Sequence, residues 1–281
     1  MKQQNEIQYR KVRGFSGQGL RIWGLVFLSL GVVLNPKLSA NLASMETDFI
    51  FTSLGLIFGL LHYVAMPIFA FLLVEGFTHT SSLKNYAVRI GLVALATEIP
   101  FNYAMEGKLL GTFKFPNLAT LQLNPVFGLL LALVLLYFFR RYSGKTLKLV
   151  ALKGLLWIMA FVWVRMLGIK YGTAMILLVP LIYFLRNKKM IMIFAGCIAM
   201  TLCGFLDSSQ IVTNEVADAA SNAATSVLNT TSVASYIASA PIAFIFLHFY
   251  NGEPGERNRY INYLAYPAIL VAISLLAKFA F

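Results

Sequence analysis

The stretch FIFTSLGLIFGLLHYVAMPIFAFLLVEGF, residues 49–77, is almost entirely apolar, and its only acidic or basic side chain apart from a histidine is Glu75. At 1.5 Å per residue it makes about 42 Å of straight helix, which exceeds the roughly 30 Å hydrocarbon core of a membrane. We therefore predict a transmembrane helix that tilts, extends beyond the bilayer or breaks near Pro67, and we prefer the break.

The rest of the chain has the same character. Of its 281 residues, 59% are hydrophobic and 12% are charged, whereas soluble domains carry roughly 25% charged residues. We predict an all-α fold, a polytopic transmembrane helix bundle that forms a single multi-pass membrane domain over residues 1–281. About nine spans are predicted, near Leu20–Leu34, Phe49–Phe77, Tyr86–Tyr103, Leu121–Phe139, Leu147–Met166, Tyr171–Leu185, Met190–Leu206, Val233–Tyr250 and Tyr260–Ala280.

The basic residues predict the orientation of these spans, because Lys and Arg gather in cytoplasmic loops. With the N-terminus inside, 17 of the 23 Lys and Arg fall in inside segments. Residues 1–19 are then a cytoplasmic segment, and 207–232, which has no Lys or Arg, is an external loop, mobile or loosely helical. The net charge of +12 follows from this loop pattern, so we predict the lipid bilayer as partner and no nucleic acid.

Ionisable groups inside spans are costly, so each one is a candidate site. Glu75 and His79 are four residues apart and share one helix face, where the carboxylate could orient the imidazole as a catalytic base. An ordinary helix end among lipid headgroups, with Lys84 and Arg89 nearby, is an equal alternative.

Four further residues are candidates for binding. Glu98 lies deep in the third span, with an ion pair to Arg165 or Lys170 as the structural alternative. His62 has the pattern of an interior residue bonded to a neighbouring helix. Asn124 and Tyr171 open the fourth and sixth spans, where helix starts also explain them.

Several types of site are absent from the sequence. Cys197 and Cys203 lie on different faces of one apolar run, so we predict no metal site. The chain contains no phosphate-binding glycine-rich loop ending in Lys-Ser or Lys-Thr, no HExxH and no GxSxG. Nucleotide hydrolysis by this chain alone is therefore not expected.

The segment HYVAMPIFAFLLVEGFTHT, residues 62–80, resembles the central block of the TraX family, which is linked to N-terminal acetylation of conjugative pilin. The likeness covers about Leu20 to Leu270 and continues in order through Lys84, Tyr86, Arg89, Glu98–Phe101, Leu123-Asn124, Tyr171-Gly172, Tyr250–Gly252, Gly255 and Tyr266-Pro267.

The resemblance implies a multi-pass acyltransferase of the bacterial plasma membrane. It implies acetyl-CoA or another acyl-CoA as the cytoplasmic donor substrate, no bound cofactor, and a protein or cell-surface acceptor. On this reading His79 is the base, Glu75 orients it, Arg89 contacts donor phosphates, and Glu98, Asn124, Tyr171 and His62 contribute to binding.

Two departures from the family pattern bear on this reading. The family usually has an Asp-His pair in its first span, where this chain has Gly31 and Val32, and a His after the Tyr-Pro of the last span, where it has Ala268 and Ile269. Two alternatives stay open: a permease or membrane subunit of a transport system, with His62, Glu98 and Asn124 lining a polar path between helices, and a non-catalytic membrane scaffold.

Overall fold

The computed structural model describes residues 14–33, 49–106, 123–214, 221–255 and 259–280. Over these ranges the chain is helical apart from its connections and one isolated β-bridge. The described helices are α1 (Gly17–Val33), α2 (Phe49–His79), α3 (Leu83–Glu106), α4 (Pro125–Arg141), α5 (Leu147–Met166), α6 (Gly172–Leu185), α7 (Lys189–Asn214), α8 (Ser221–His248) and α9 (Arg259–Ala280). The all-α prediction is confirmed, and each helix overlaps one predicted span.

Three of these helices are long and apolar enough to cross a membrane: Leu60–His79 of α2, Leu147–Met166, and Lys189–Asp207 of α7. Shorter apolar helices cover Gly172–Leu185, Val233–His248 and Tyr263–Ile273. The fold is thus a helical bundle of membrane-protein character, and the number and direction of the spans stay predictions.

The predicted break at Pro67 is wrong, because α2 runs without interruption from Phe49 to His79. The residues on both sides of the proline are fully buried against other helices, including Ala65 and Ile68. In apolar surroundings the freed backbone groups are accommodated locally, and packing on several sides holds the helix together.

Helix α2 is the centre of the bundle. It contacts α1, α4, α6 and α8, while α9 packs against α3 and α1. Helix α5 lies at the periphery and exposes a run of large apolar side chains: Leu155, Ile158, Met159, Val162 and Trp163. Such a face is typical of contact with lipid, because an apolar patch of this size is rare on soluble monomers.

The end of the bundle that holds Gly17, His79, Leu83 and His248 is called here the inner end, and it is the end predicted to face the cytoplasm. At this end the start of the described chain pairs with the loop after α8. Phe15 donates its N–H to the carbonyl of Phe249 (2.9 Å) and accepts from Asn251 (3.0 Å). These bonds fix the position of the α8–α9 loop against α1.

Two predicted segments fall partly outside the described residues. Of the N-terminal segment 1–19, residues 1–13 are not described, and Gly17–Gly19 already belong to α1. Of the predicted external segment 207–232, α7 continues to Asn214 and α8 begins at Ser221, so the described part is helical.

Candidate functional site

Glu75 and His79 meet in the last turn of α2, as their spacing predicts. His79 Nδ1 lies 3.8 Å from Glu75 Oε1 but only 3.0 Å from the Glu75 carbonyl oxygen. Tyr250 donates its hydroxyl to Glu75 Oε1 (3.1 Å). The imidazole is 74% exposed, so this pair lies at the surface of the inner end, and the carboxylate holds the α8–α9 loop more closely than it holds His79.

Arg89 lies in the second turn of α3, at the same end of the bundle as Arg21 of α1, which is one of the basic residues that predict the inside segments. The guanidinium of Arg89 lies 5.9 Å from the ring centre of Tyr263. Both Arg89 and Arg21 are within electrostatic range of Tyr86. Tyr86 packs so closely against α2 that a Cβ at Gly76 would overlap its hydroxyl. Two cations and two phenols therefore gather at the inner end.

A cavity of about 170 Å³ extends from this group into the bundle. Arg21, Tyr86 and Tyr263 line its inner part, and Tyr266 is the polar residue further along α9. Apolar residues form the remaining wall: Leu25, Leu28, Met66, Phe69, Leu72, Leu73, Ile90, Val93, Pro125, Val126, Leu129 and Met175. The lining includes neither Glu75 nor His79, which lie outside the cavity.

Glu98 and Asn124 bind each other where α3 meets the start of α4. Glu98 Oε2 accepts from the Asn124 side chain (2.7 Å) and backbone N–H (3.1 Å), and Oε1 accepts from Asn102 (3.1 Å). Asn124 is fully buried and also caps α4 through Val126. The carboxylate thus has amide partners, and Arg165, one of the two cations considered for it, instead donates to the Leu206 carbonyl (2.9 Å).

His62 is buried, with 6% of its surface exposed, and faces α1 as predicted for an interior residue. Its Nδ1 lies 3.0 Å from the carbonyl oxygen of Leu28, and its ring centre lies 4.9 Å from that of Tyr171. Among the described residues, His62 Nε2 and the Tyr266 hydroxyl are buried with no hydrogen-bond partner. Tyr171 itself has a left-handed backbone (φ 57°), which is uncommon for a bulky residue.

A second polar pair, which was not predicted from the sequence, lies next to these rings. Tyr236 donates its hydroxyl to Asp207 Oδ2 (2.5 Å), and Thr173 also bonds that carboxyl. The Tyr236 ring lies 4.3 Å from that of Tyr63, beside His62. Asp207 was predicted to lie in a loop. The sequence feature that could have indicated the pair is the position of Asp207 directly after one apolar run, with Tyr236 inside the next apolar run.

A comparison with known protein families finds one whose model, described as TraX protein, matches residues 41–277. No curated protein and no solved structure matches the chain significantly. The family match covers most of the chain and includes the segment 62–80, so the family predicted from that segment is confirmed. The chain belongs to the TraX protein family.

Proposed function

We propose that this protein is a multi-pass acyltransferase of the bacterial plasma membrane. It takes an acyl group from a cytoplasmic acyl-CoA, with acetyl-CoA as the first donor to test, and transfers it to a protein or cell-surface acceptor. The observation that carries the proposal is the cavity, which has Arg21 at its inner end and continues along apolar walls to the hydroxyl of Tyr266, which is unpartnered in the described part of the chain.

The inner end suits the charged part of such a donor. Arginine binds phosphate oxygens through charge-assisted hydrogen bonds, often two at once. Arg21 lines the cavity and Arg89 lies beside the ring of Tyr263, so both are placed to contact the phosphates of a bound CoA. The distribution of Lys and Arg supports the assignment of this end to the cytoplasm, where acyl-CoA is made.

The apolar walls suit the uncharged part of the donor. A thioester arm that enters from the inner end would pass between α1, α2, α3 and α4, in a region with little water. Excluding water limits hydrolysis of the thioester, a side reaction that competes with transfer. His79 with Glu75, the base predicted from the sequence, would instead place the chemistry at the surface of the inner end.

The proposal is tested with the purified, detergent-solubilised protein and labelled acetyl-CoA, alone and with a membrane extract of its source organism. Release of CoA and transfer of label are measured for the unchanged protein and for Arg21→Gln and Arg89→Gln. A charge-assisted hydrogen bond is worth about 1.5–3 kcal/mol, so each variant should raise KM for the donor about tenfold or more.

Arg141→Gln is the matched control, because Arg141 is an exposed arginine at the same end of the bundle. It should leave KM unchanged. Absence of CoA release and label transfer from folded protein, with several acyl-CoA donors, would overturn the acyltransferase proposal.

One observation supports transport as a second candidate function. The Glu98 carboxylate and the buried side chains of Asn102 and Asn124 form a polar cluster between α3 and α4, next to the cavity residues Pro125 and Val126. Intramembrane ionisable groups often mark a substrate path. Uptake of a solute into proteoliposomes without a covalent product would favour this function.

A further inference from the structure

The imidazole of His62 fills the space directly above Gly31. A Cβ built on Gly31 would overlap Cβ, Cγ and Nδ1 of His62, so no other side chain fits at position 31 while His62 keeps its place. The structure therefore brings an imidazole to this point of α1 from the facing helix α2.

The hydrogen bond of His62 determines which ring nitrogen carries the proton. A carbonyl oxygen only accepts, so the contact with Leu28 makes Nδ1 the donor. In the neutral ring, Nε2 then holds a free lone pair. Because Nε2 is buried and unpartnered among the described residues, its lone pair is available to a ligand.

A hydrogen-bond donor without a partner complements this lone pair. The Tyr266 hydroxyl, on the cavity wall, is the other buried polar atom without a partner in the described chain. The ring of Tyr171 lies 4.9 Å from the His62 ring, and Tyr171 is within electrostatic range of Tyr266. Leu28 and Met66, which flank His62, also line the cavity, so His62 lies next to its wall.

Resting on the acyltransferase function, we propose that His62 is the catalytic base and that Tyr266 donates a hydrogen bond to the thioester carbonyl oxygen. The acceptor is a hydroxyl or amine that reaches Nε2 inside the bundle. His79 lies 17 residues further along α2, about 25 Å away, so the two histidines place the chemistry at different depths.

The reaction balances with these groups alone. The acceptor oxygen or nitrogen attacks the thioester carbonyl carbon while its proton passes to His62 Nε2. The new bond to the acyl carbon forms, the carbon–sulfur bond breaks, and Nε2 returns the proton to the CoA thiolate. The products are the acylated acceptor and CoA, and the Tyr266 hydroxyl stabilises the negative charge that develops on the carbonyl oxygen.

His62→Asn is the variant that tests the base. The asparagine amide can still donate to the Leu28 carbonyl, as Nδ1 does, but it has no basic nitrogen in place of Nε2. We expect kcat for label transfer to fall by about a hundredfold or more, with KM for acetyl-CoA little changed and the melting temperature in detergent close to that of the unchanged protein. His248→Asn, at an exposed histidine of the inner end, is the control and should keep full activity.

The outcomes separate this inference from the function on which it rests. Active His62→Asn protein would overturn the role of His62 and leave the acyltransferase function in place, and loss of activity in His79→Asn alone would move the base to the inner end. Failure of the unchanged protein to transfer or release CoA would overturn both.

A rescue experiment distinguishes a catalytic imidazole from one that only fills space. In the triple variant Gly31→Asp, Val32→His and His62→Gly, the bulk above position 31 is removed and an imidazole is returned to α1. Part of the activity that His62→Gly loses should come back. Recovery of the melting temperature without recovery of kcat would contradict the proposal.

Discussion

At the scale of single residues, three glycines of this bundle each pack closely against a large side chain of another helix. Gly31 packs against His62, Gly76 against Tyr86 and Gly196 against Phe244. Helices in membranes often associate through such small residues. Lipid provides no hydrophobic driving force between helices, so close van der Waals packing stabilises their contact instead. The sequence contains the glycines, but it does not state which side chain covers each one.

Gly31→Ala tests the contact with His62. The added methyl group overlaps the imidazole, so we expect the free energy of unfolding to fall by about 1–3 kcal/mol and the melting temperature in detergent to fall with it. Gly154→Ala is the matched control, because a Cβ at this helical glycine of α5 meets no atom within 4 Å. Equal melting temperatures for the two variants would contradict the packing described here.

At the scale of helices, the start of α4 depends on a carboxylate from α3. Asn124 caps α4 through Val126 and binds both Glu98 and the Ala94 carbonyl, so one side chain joins two helices. Asn124→Ala removes the cap and leaves Glu98 with fewer donors. We expect a loss of about 1–3 kcal/mol in the free energy of unfolding, measured by thermal unfolding in detergent.

Asn85→Ala is the control for this loss, because Asn85 also lies on α3 but its side chain is exposed. It should change stability by less than about 0.5 kcal/mol. If Asn124→Ala is equally mild, the Glu98–Asn124 contact does not hold the two helices together.

The helices themselves could be predicted from the sequence, whereas their partners could not. Apolar runs separated by basic or polar turns identify the position of each helix, since that pattern depends on local sequence. The continuity of α2 through Pro67, the pairing of Asp207 with Tyr236 and the place of Arg21 on the cavity wall all depend on contacts with other helices. The helix face shared by Glu75 and His79 was predicted correctly. Its position outside the cavity depends on how the other helices pack, so it could not be predicted.

At the scale of the whole molecule, the direction of the bundle is a prediction that labelling can check. In a variant with Cys197 and Cys203 changed to alanine, a new cysteine replaces either Lys145 or Ala219. We expect a membrane-impermeant maleimide to label Ala219→Cys in right-side-out vesicles and Lys145→Cys only in inverted ones. The reverse pattern would place the inner end outside the cell, away from any acyl-CoA.

The bonds between Phe15 and the α8–α9 loop also affect how the protein is made. The chain is inserted from its N-terminus, so α1 enters the bilayer long before residues 249–254 leave the ribosome. Until then the backbone groups of Phe15 and Gly17 lack these hydrogen-bond partners, and Glu75 cannot accept the hydrogen bond from Tyr250. The inner end of α1 therefore gains these contacts only after α8 has been made, and a product truncated before Phe249 would hold α1 through α2 alone at this end.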